Sequence, residues 1–354
     1  MSRFEPFGVP FYLYPLALVL FALIACVSPK GSFHFKSRRF FLSTLSRIVV
    51  APFGPEVRFV ENYIADVLTS MTVFLRDVDY AAQFYLSGAF ASPDSESLDA
   101  SYWLTAPLIT AIPSWFRLQQ CIRRFYDAPR GATERRVHLA NAFKYLLSLA
   151  ATTSAAVGNY STLDFRNIST WEPGKALWFA VLVLSTAYAY IWDLTMDWGL
   201  LERMPAPSAG APLRAQLFPW RLREHRIYPS RTFYLWAAAS NLLGRLAWAF
   251  TITPHGVFEG VPRGISTTAM AIIEILRRAQ WSLLRIEYEY TSNAAHYRSV
   301  NDVPMMLNTE GYVGFAMERS GKNGSRWSLS GATVAVLNGI VTLTALMIIH
   351  YKWT

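Results

Sequence analysis

Cysteine is nearly missing from this chain, with two in 354 residues. Cys26 and Cys121 stand far apart, which excludes a disulfide framework, and no Cys/His spacing reads as a metal site. Charge is scarce as well: 16% of residues are Asp, Glu, Lys or Arg, against about 25% in soluble domains. Acids are the rarer sign, 24 against 33 basic residues, which leaves a net charge of +9. No Walker or dinucleotide glycine motif, serine elbow or zinc signature occurs, so the sequence supports neither an enzyme nor a cofactor site. A basic module interleaved with aromatics, of the kind that binds RNA or DNA, is lacking too, which sets nucleic acid aside as a partner.

What the chain has in quantity is apolar length: 53% of residues are hydrophobic and 15% aromatic, with 12 tryptophans. That balance predicts an all-α, polytopic transmembrane helical bundle of about eight spans. A span takes about 20 residues, and the candidates are roughly 11–28, 62–88, 101–120, 138–158, 176–197, 232–253, 267–286 and 329–350. The first ends in CVSPKG without a small-x-small cleavage site, so it reads as a helix and not as a signal peptide. The expected domains are 1–28, the first transmembrane helix; 29–59, a cytosolic amphipathic segment; 60–305, the main transmembrane domain; 306–328, a cytosolic linker; and 329–354, the final helix.

Most Lys and Arg fall in 29–59, 117–137, 198–231 and 285–328, and few in the intervening loops. The positive-inside rule then puts the first group in the cytosol and both termini on the luminal or exterior side. Two sequons, at Asn159 and Asn167, fall on the luminal side. Segment 29–59 is basic and aromatic; it reads as an interfacial helix held by anionic membrane lipids, with partner docking as the other reading. The loop 204–230 is Pro/Ala-rich and reads as irregular.

Ionisable groups at membrane depth are where function is to be sought, because each costs at least ~2.5 kcal/mol near the bilayer centre unless paired or wet. Ala271–Glu289 concentrates them. Its apolar residues recur at helical spacing, yet Glu274, Arg277 and Arg278 sit in the middle. Glu274 is close enough on the helix to pair with both arginines, and adjacent guanidiniums offer a donor fork for a tetrahedral oxyanion. Asp66, Thr69 and Thr72 share one edge of the second span, as a pore lining or as helix–helix glue. Arg76, Asp77 and Asp79 read as an internal salt-bridge set. Arg117, Arg123 and Arg124 read as cytosolic anchors, and Lys144 as either a ligand or a snorkelling lysine. Asp193 and Asp197, at i and i+4, fit counter-charges for the arginines better than a divalent-metal site, which would need more oxygen ligands. Arg245 and Trp248, one turn apart, read as a ligand pair or a cation–π pair.

Several words of this sequence, in order over roughly residues 30–305, carry a resemblance: ADVLTSMTVFLRDVDY, SWFRLQQCIRRFYD, HLANAFKY, YIWDLTMDWGLL, GRLAWAF, IEILRRAQWSLLRIEYEY and HYRSVNDV. They resemble the EXS domain of eukaryotic phosphate exporters of the xenotropic-retrovirus-receptor type and of the ER-retention-defective Golgi proteins. The resemblance implies export of inorganic phosphate through the helical bundle. It places the phosphate-binding and pore-lining roles on Asp66, Thr69, Thr72, Lys144, Asp193, Arg245, Trp248, Arg277 and Arg278, with Tyr145 and Glu274 beside them. Thr69 stands where the family usually has asparagine. The full-length exporters begin with a lysine-rich SPX domain and further amino-terminal helices, whereas about ten residues precede the first span here. Gating by inositol pyrophosphates is therefore not expected of this chain, and a homodimer is left open. The short form resembles the Golgi type, which implies return of luminal phosphate to the cytosol and support of glycosylation, with glycosyltransferases or their sorting adaptors as partners; the plasma membrane or another endomembrane is the alternative. The rival functions are a non-transporting membrane adaptor for glycosyltransferase retention and, more remotely, a metal enzyme on Asp193 and Asp197.

Overall fold

The computed structural model describes residues 10, 12–29, 34–90, 97–158, 171–203, 220–224, 226–252, 261 and 263–298. The sequons, residues 204–219 of the loop expected to be irregular, the linker 306–328 and the expected last span lie outside them. The described residues are overwhelmingly helical, as an all-α chain requires. They form two compact units, one reaching to Ser185 and taking in Phe250–Ala271, the other holding Thr186–Ala249 and the residues from Ile272 on.

The first unit contains α1 (Leu13–Val27), α2 (Phe35–Val49), α3 (Phe59–Leu68), α4 (Thr72–Leu86), α5 (Ser97–Asp127) and α6 (Thr133–Gly158). Helix α5 is its centre and packs against α3, α4 and α6. The α5–α6 seam buries Leu118, Cys121, Ala142 and Tyr145, flanked by Trp115, Ile122 and Leu149. Each large apolar side chain removed from solvent there contributes about 1.5–3 kcal/mol. Helix α1 buries none of its residues and turns Leu18, Phe21 and Leu23 outward. Helix α2 buries only Thr44 and Ile48 and leaves Phe40, Phe41 and Leu42 exposed, the two-faced arrangement its sequence predicts. Glu61 closes the start of α3: it accepts from the Arg58 backbone N–H at 2.7 Å and from Arg58 Nε at 2.9 Å, with Arg47 at 3.7 Å. Burial pushes this carboxyl up, but the Arg58 hydrogen bonds and the charges of Arg58 and Arg47 outweigh it and hold Glu61 below the ordinary carboxylate value.

The second unit receives the end of α7 (Pro173–Trp192), which closes in a π-helical turn, Asp193–Asp197. Strands β1 (Leu201–Arg203) and β2 (Trp220–Leu222) pair antiparallel, Leu201 opposite Leu222. The loop expected to be irregular thus supplies a strand. Helix α8 (Arg231–Arg245), the short α9 (Trp248–Ile252, in this unit to Ala249) and α10 (Arg263–Arg298, in this unit from Ile272) complete the described residues.

Three expected spans are broken where they carry polar groups. The second splits at Thr69–Met71, because Thr69 Oγ1 donates to the Asp66 carbonyl at 2.6 Å and the next amides fall back to i−3 acceptors. Asp66, Thr69 and Thr72 consequently do not share one stripe; Thr69 ends α3 and Thr72 opens α4. The fifth ends in the π turn, where the Trp198 amide bonds to the Asp193 carbonyl at 2.9 Å, so Asp193 and Asp197 are not stacked as on an α-helix. The sixth breaks between Arg245 and Trp248. By length and composition, one described helix, Pro173–Asp197, is long and apolar enough to cross a membrane, and Leu13–Val27 is a shorter apolar helix.

Candidate functional site

The second unit builds its charged cluster around Asp193, which is 1% exposed. The π turn ends α7 with this carboxylate facing α8. Its Oδ2 accepts from Arg245 Nε at 2.8 Å, Arg245 Nη2 at 2.5 Å and Asn241 Nδ2 at 2.8 Å. Asn241 and Arg245 reach the same oxygen because they stand one helical turn apart on α8. From α10, Arg277 approaches that oxygen to 4.0 Å through Nη1, which donates to Asn241 Oδ1 at 3.2 Å. The remaining face of Arg277 grips Glu274 in a two-point ion pair, Nε to Oε2 at 2.7 Å and Nη2 to Oε1 at 2.5 Å. Glu274, Arg277, Asn241, Asp193 and Arg245 therefore form one continuous chain of alternating donors and acceptors.

Gly244 makes the approach of α10 to α8 fit: a Cβ there would lie 3.0 Å from Arg277 Cδ. Arg278 takes a different direction from Arg277 and lies over the Trp281 ring, 4.5 Å from its centroid. Trp248 Nε1 donates to Thr186 Oγ1 at 3.0 Å, and Arg245 turns to Asp193. Asp197 accepts from two indoles: Trp192 Nε1 donates to it at 3.2 Å and Trp281 Nε1 at 3.3 Å. Among the described residues, no group of three or more His, Cys, Asp or Glu side chains is placed to hold a metal ion.

The first unit has its own cluster, centred on an arginine that the sequence reading assigned to a cytosolic anchor. Arg117 is 1% exposed. Its Nε donates to Asp66 Oδ1 at 2.8 Å and Tyr145 Oη at 2.9 Å, while Nη1 donates to Asn62 Oδ1 at 2.5 Å and Gln120 Oε1 at 2.6 Å. The Tyr145 hydroxyl donates to the same Asp66 oxygen. Lys144, also buried, places Nζ 4.7 Å from the Tyr145 ring centroid, and the Arg117 guanidinium lies 4.9 Å from it. An arginine removed from water is tolerated only with a carboxylate and further acceptors around it, and this shell supplies them. Thr69 and Thr72 sit at the break that follows Asp66.

The expected site residues are thus divided. Asp66, Thr69, Thr72, Lys144 and Tyr145 belong to the first unit; Asp193, Arg245, Trp248, Glu274, Arg277 and Arg278 belong to the second. Sequence reasoning missed Arg117 and Asn241. Arg117 carried no distinguishing signal, since only the packing of α5 shows that Pro113, Arg117, Gln120 and Cys121 lie on its buried face. For Asn241 the signal was its place one turn before Arg245. The Arg76–Asp79 set also differs: Arg76 lies 3.8 Å from Asp77 at the surface, whereas buried Asp79 accepts from Thr105 Oγ1 at 2.7 Å and Gln83 Nε2 at 3.1 Å.

Known proteins are similar to this sequence. Residues 2–291 match the EXS family. Solute carrier family 53 member 1 of Mus musculus is 33% identical over 313 residues, 85% of this chain and 42% of the relative. The Xenotropic and polytropic retrovirus receptor 1 homolog of Xenopus laevis is 33% identical over 302 residues, 82% of this chain and 41% of the relative. The SPX and EXS domain-containing protein 1 of Dictyostelium discoideum is 31% identical over 293 residues, 82% of this chain and 29% of the relative. The chain spans less than half the length of these relatives. Since the family match runs through the described residues of both clusters, this chain belongs to the EXS family.

Proposed function

We propose that this protein transports inorganic phosphate across a membrane, with the Asp193–Arg245–Arg277 chain as its central anion site. The observation that carries this reading is that chain itself: two guanidiniums, part-buried Arg245 and buried Arg277, converge on one carboxylate oxygen that a phosphate oxygen can replace. Phosphate accepts the charge-assisted hydrogen bonds that Asp193 and Glu274 hold when the site is empty. The carboxylates, in competing for the same donors, keep the anion loosely held, and passage needs release as well as entry. In the first unit, Lys144, Tyr145, Asp66, Thr69 and Thr72 are the phosphate-contacting groups; in the second, Trp248 and Arg278 accompany the central chain.

Outward apolar side chains on α1, α7 and α10 support lipid contact and an arrangement of about eight spans, and α2 suits the anionic interface. The solute-carrier name of the relatives supports transport, and the resemblance read from the sequence supplies phosphate as the solute. In this reading both termini are luminal and the protein returns phosphate from the Golgi lumen to the cytosol, which sustains glycosylation and glycosyltransferase retention.

The test is efflux of radiolabelled phosphate from proteoliposomes holding purified wild-type protein or Arg245→Ala, with folding checked by thermal unfolding. Saturable efflux is expected from the first and none from a folded Arg245→Ala. A folded wild type that releases no phosphate overturns the reading and leaves the membrane adaptor in its place.

A further inference from the structure

A third buried charge cluster lies in the second unit, apart from both clusters above. Arg223 follows β2 and is 5% exposed; Glu287 on α10 is 3% exposed. The Glu287 carboxylate is unevenly used. Its Oε1 takes the Tyr234 hydroxyl at 2.5 Å and the Ile227 amide at 2.9 Å, with Arg223 Nη2 at 3.2 Å within ion-pair distance but outside hydrogen-bond geometry. Its Oε2 is buried and accepts nothing among the described residues. Arg223 spends Nη1 on Thr291 Oγ1 at 3.3 Å, which leaves Nε buried without an acceptor and Nη2 with only its ion pair to Glu287, and Arg226 Nε is buried without an acceptor too. Arg226 belongs to the cluster through Nη1, which donates to the Arg223 carbonyl at 2.6 Å.

Two guanidinium Nε–H donors without acceptors, on Arg223 and Arg226, occur in one cluster with an orphan carboxylate oxygen of Glu287, an unusual set, since leaving a buried polar atom unpaired costs about 1–3 kcal/mol. An anion with no hydrogen would satisfy the arginines and repel Glu287. A hydrogen-bearing oxyanion satisfies both, because its unprotonated oxygens accept from Arg223 and Arg226 while its O–H donates to Glu287 Oε2. Inorganic phosphate carries such a hydrogen at neutral pH and sulfate does not.

We infer that Arg223, Arg226 and Glu287 form a second oxyanion site, specific for hydrogen phosphate over sulfate, with Glu287 as the residue that reads the phosphate hydroxyl. The inference rests on the transport reading for its biological role but not for its binding chemistry. Its atoms are shut from solvent in this conformation, so loading requires a local opening of the protein. On the charge distribution along the chain, this end of the unit is the cytosolic one, which makes the site a point of release or intake for the pathway.

The experiment is equilibrium binding of inorganic phosphate and of sulfate to the full chain carrying Arg245→Ala, which disables the central site without touching this one. Phosphate is expected to bind and sulfate to bind at least ~10-fold more weakly, because a site built around a ligand hydroxyl rejects the analogue that lacks it. Adding Glu287→Gln, which puts an N–H where the acceptor was, is expected to remove that preference. Adding Arg223→Ala is expected to remove binding of both anions, and Arg223→Lys, which keeps the charge opposite Glu287, controls for folding. The inference is overturned if phosphate does not bind in the Arg245→Ala background, as when a water alone fills the cluster, or if Glu287→Gln leaves the preference unchanged. Either result stands whether or not the wild type transports phosphate in proteoliposomes.

Discussion

Arg117 satisfies four partners with one guanidinium, and Asp66 is the only carboxylate among them. Replacing it by alanine leaves Asp66 buried with the Tyr145 hydroxyl, and breaking a buried ion pair in this way costs about 3–5 kcal/mol. Thermal unfolding of the detergent-solubilised Arg117→Ala protein is expected to show that loss, and Arg117→Lys is expected to recover little of it because an ammonium cannot fork to Asp66 and Asn62 together. Asn241 poses the milder case. Its amide donates to Asp193 and accepts from Arg277, so Asn241→Leu unlinks two charges that each keep another partner. Efflux should fall well below wild type while stability drops by only about 1–3 kcal/mol, the cost of leaving buried groups unpaired. Wild-type efflux from Asn241→Leu would show that the bridge is dispensable.

At the scale of elements, the decisive places are where helices stop or touch. Gly199 follows the π turn with φ of +52°, and a Cβ there would meet the Tyr288 ring at 2.2 Å. Gly199→Ala is expected to destabilise the second unit by at least ~1–3 kcal/mol from the backbone conformation alone, read as a fall in unfolding midpoint. Gly244→Ala is the graded version: the new methyl meets only the flexible Arg277 stem at 3.0 Å, so the fold should persist while efflux declines as Arg277 shifts. The start of α3 responds to pH. Glu61 has a depressed pKa, so its contribution is present above the unfolded carboxylate value and is lost as pH falls through the lower folded value. Acid melting of wild type against Glu61→Gln should therefore show a pH-dependent difference that disappears at the acid end; parallel curves throughout would refute it.

For the whole molecule, the exterior and the interior differ in kind. The outward surface of α1 is leucine, valine and phenylalanine, whereas each unit keeps arginines within. A chain in that condition is stable only where something other than water covers its surface, and its interior charges persist only in mutually paired sets.

Composition and helical periodicity were enough to give the all-α class, because spans and amphipathic faces are written in local spacing. The i, i−3 pairing of Glu274 with Arg277 was legible for the same reason, as was the need for burial partners wherever a charge interrupts an apolar run. The breaks at Thr69–Met71, at the Asp193–Asp197 turn and after Arg245 were not, since each depends on which carbonyl a hydroxyl or amide reaches once the chain is folded. Nor could periodicity tell Arg117 from Arg123: both belong to one arginine-rich run, and only the packing of α5 against α3 and α6 buries the first while leaving the second to pair with Asp127 near the surface. The sequence by itself determined which charges had to find partners; the tertiary structure alone decided which partners they found, because Asp66 and Arg117, or Asp193 and Arg245, lie some fifty residues apart and meet only through helix packing.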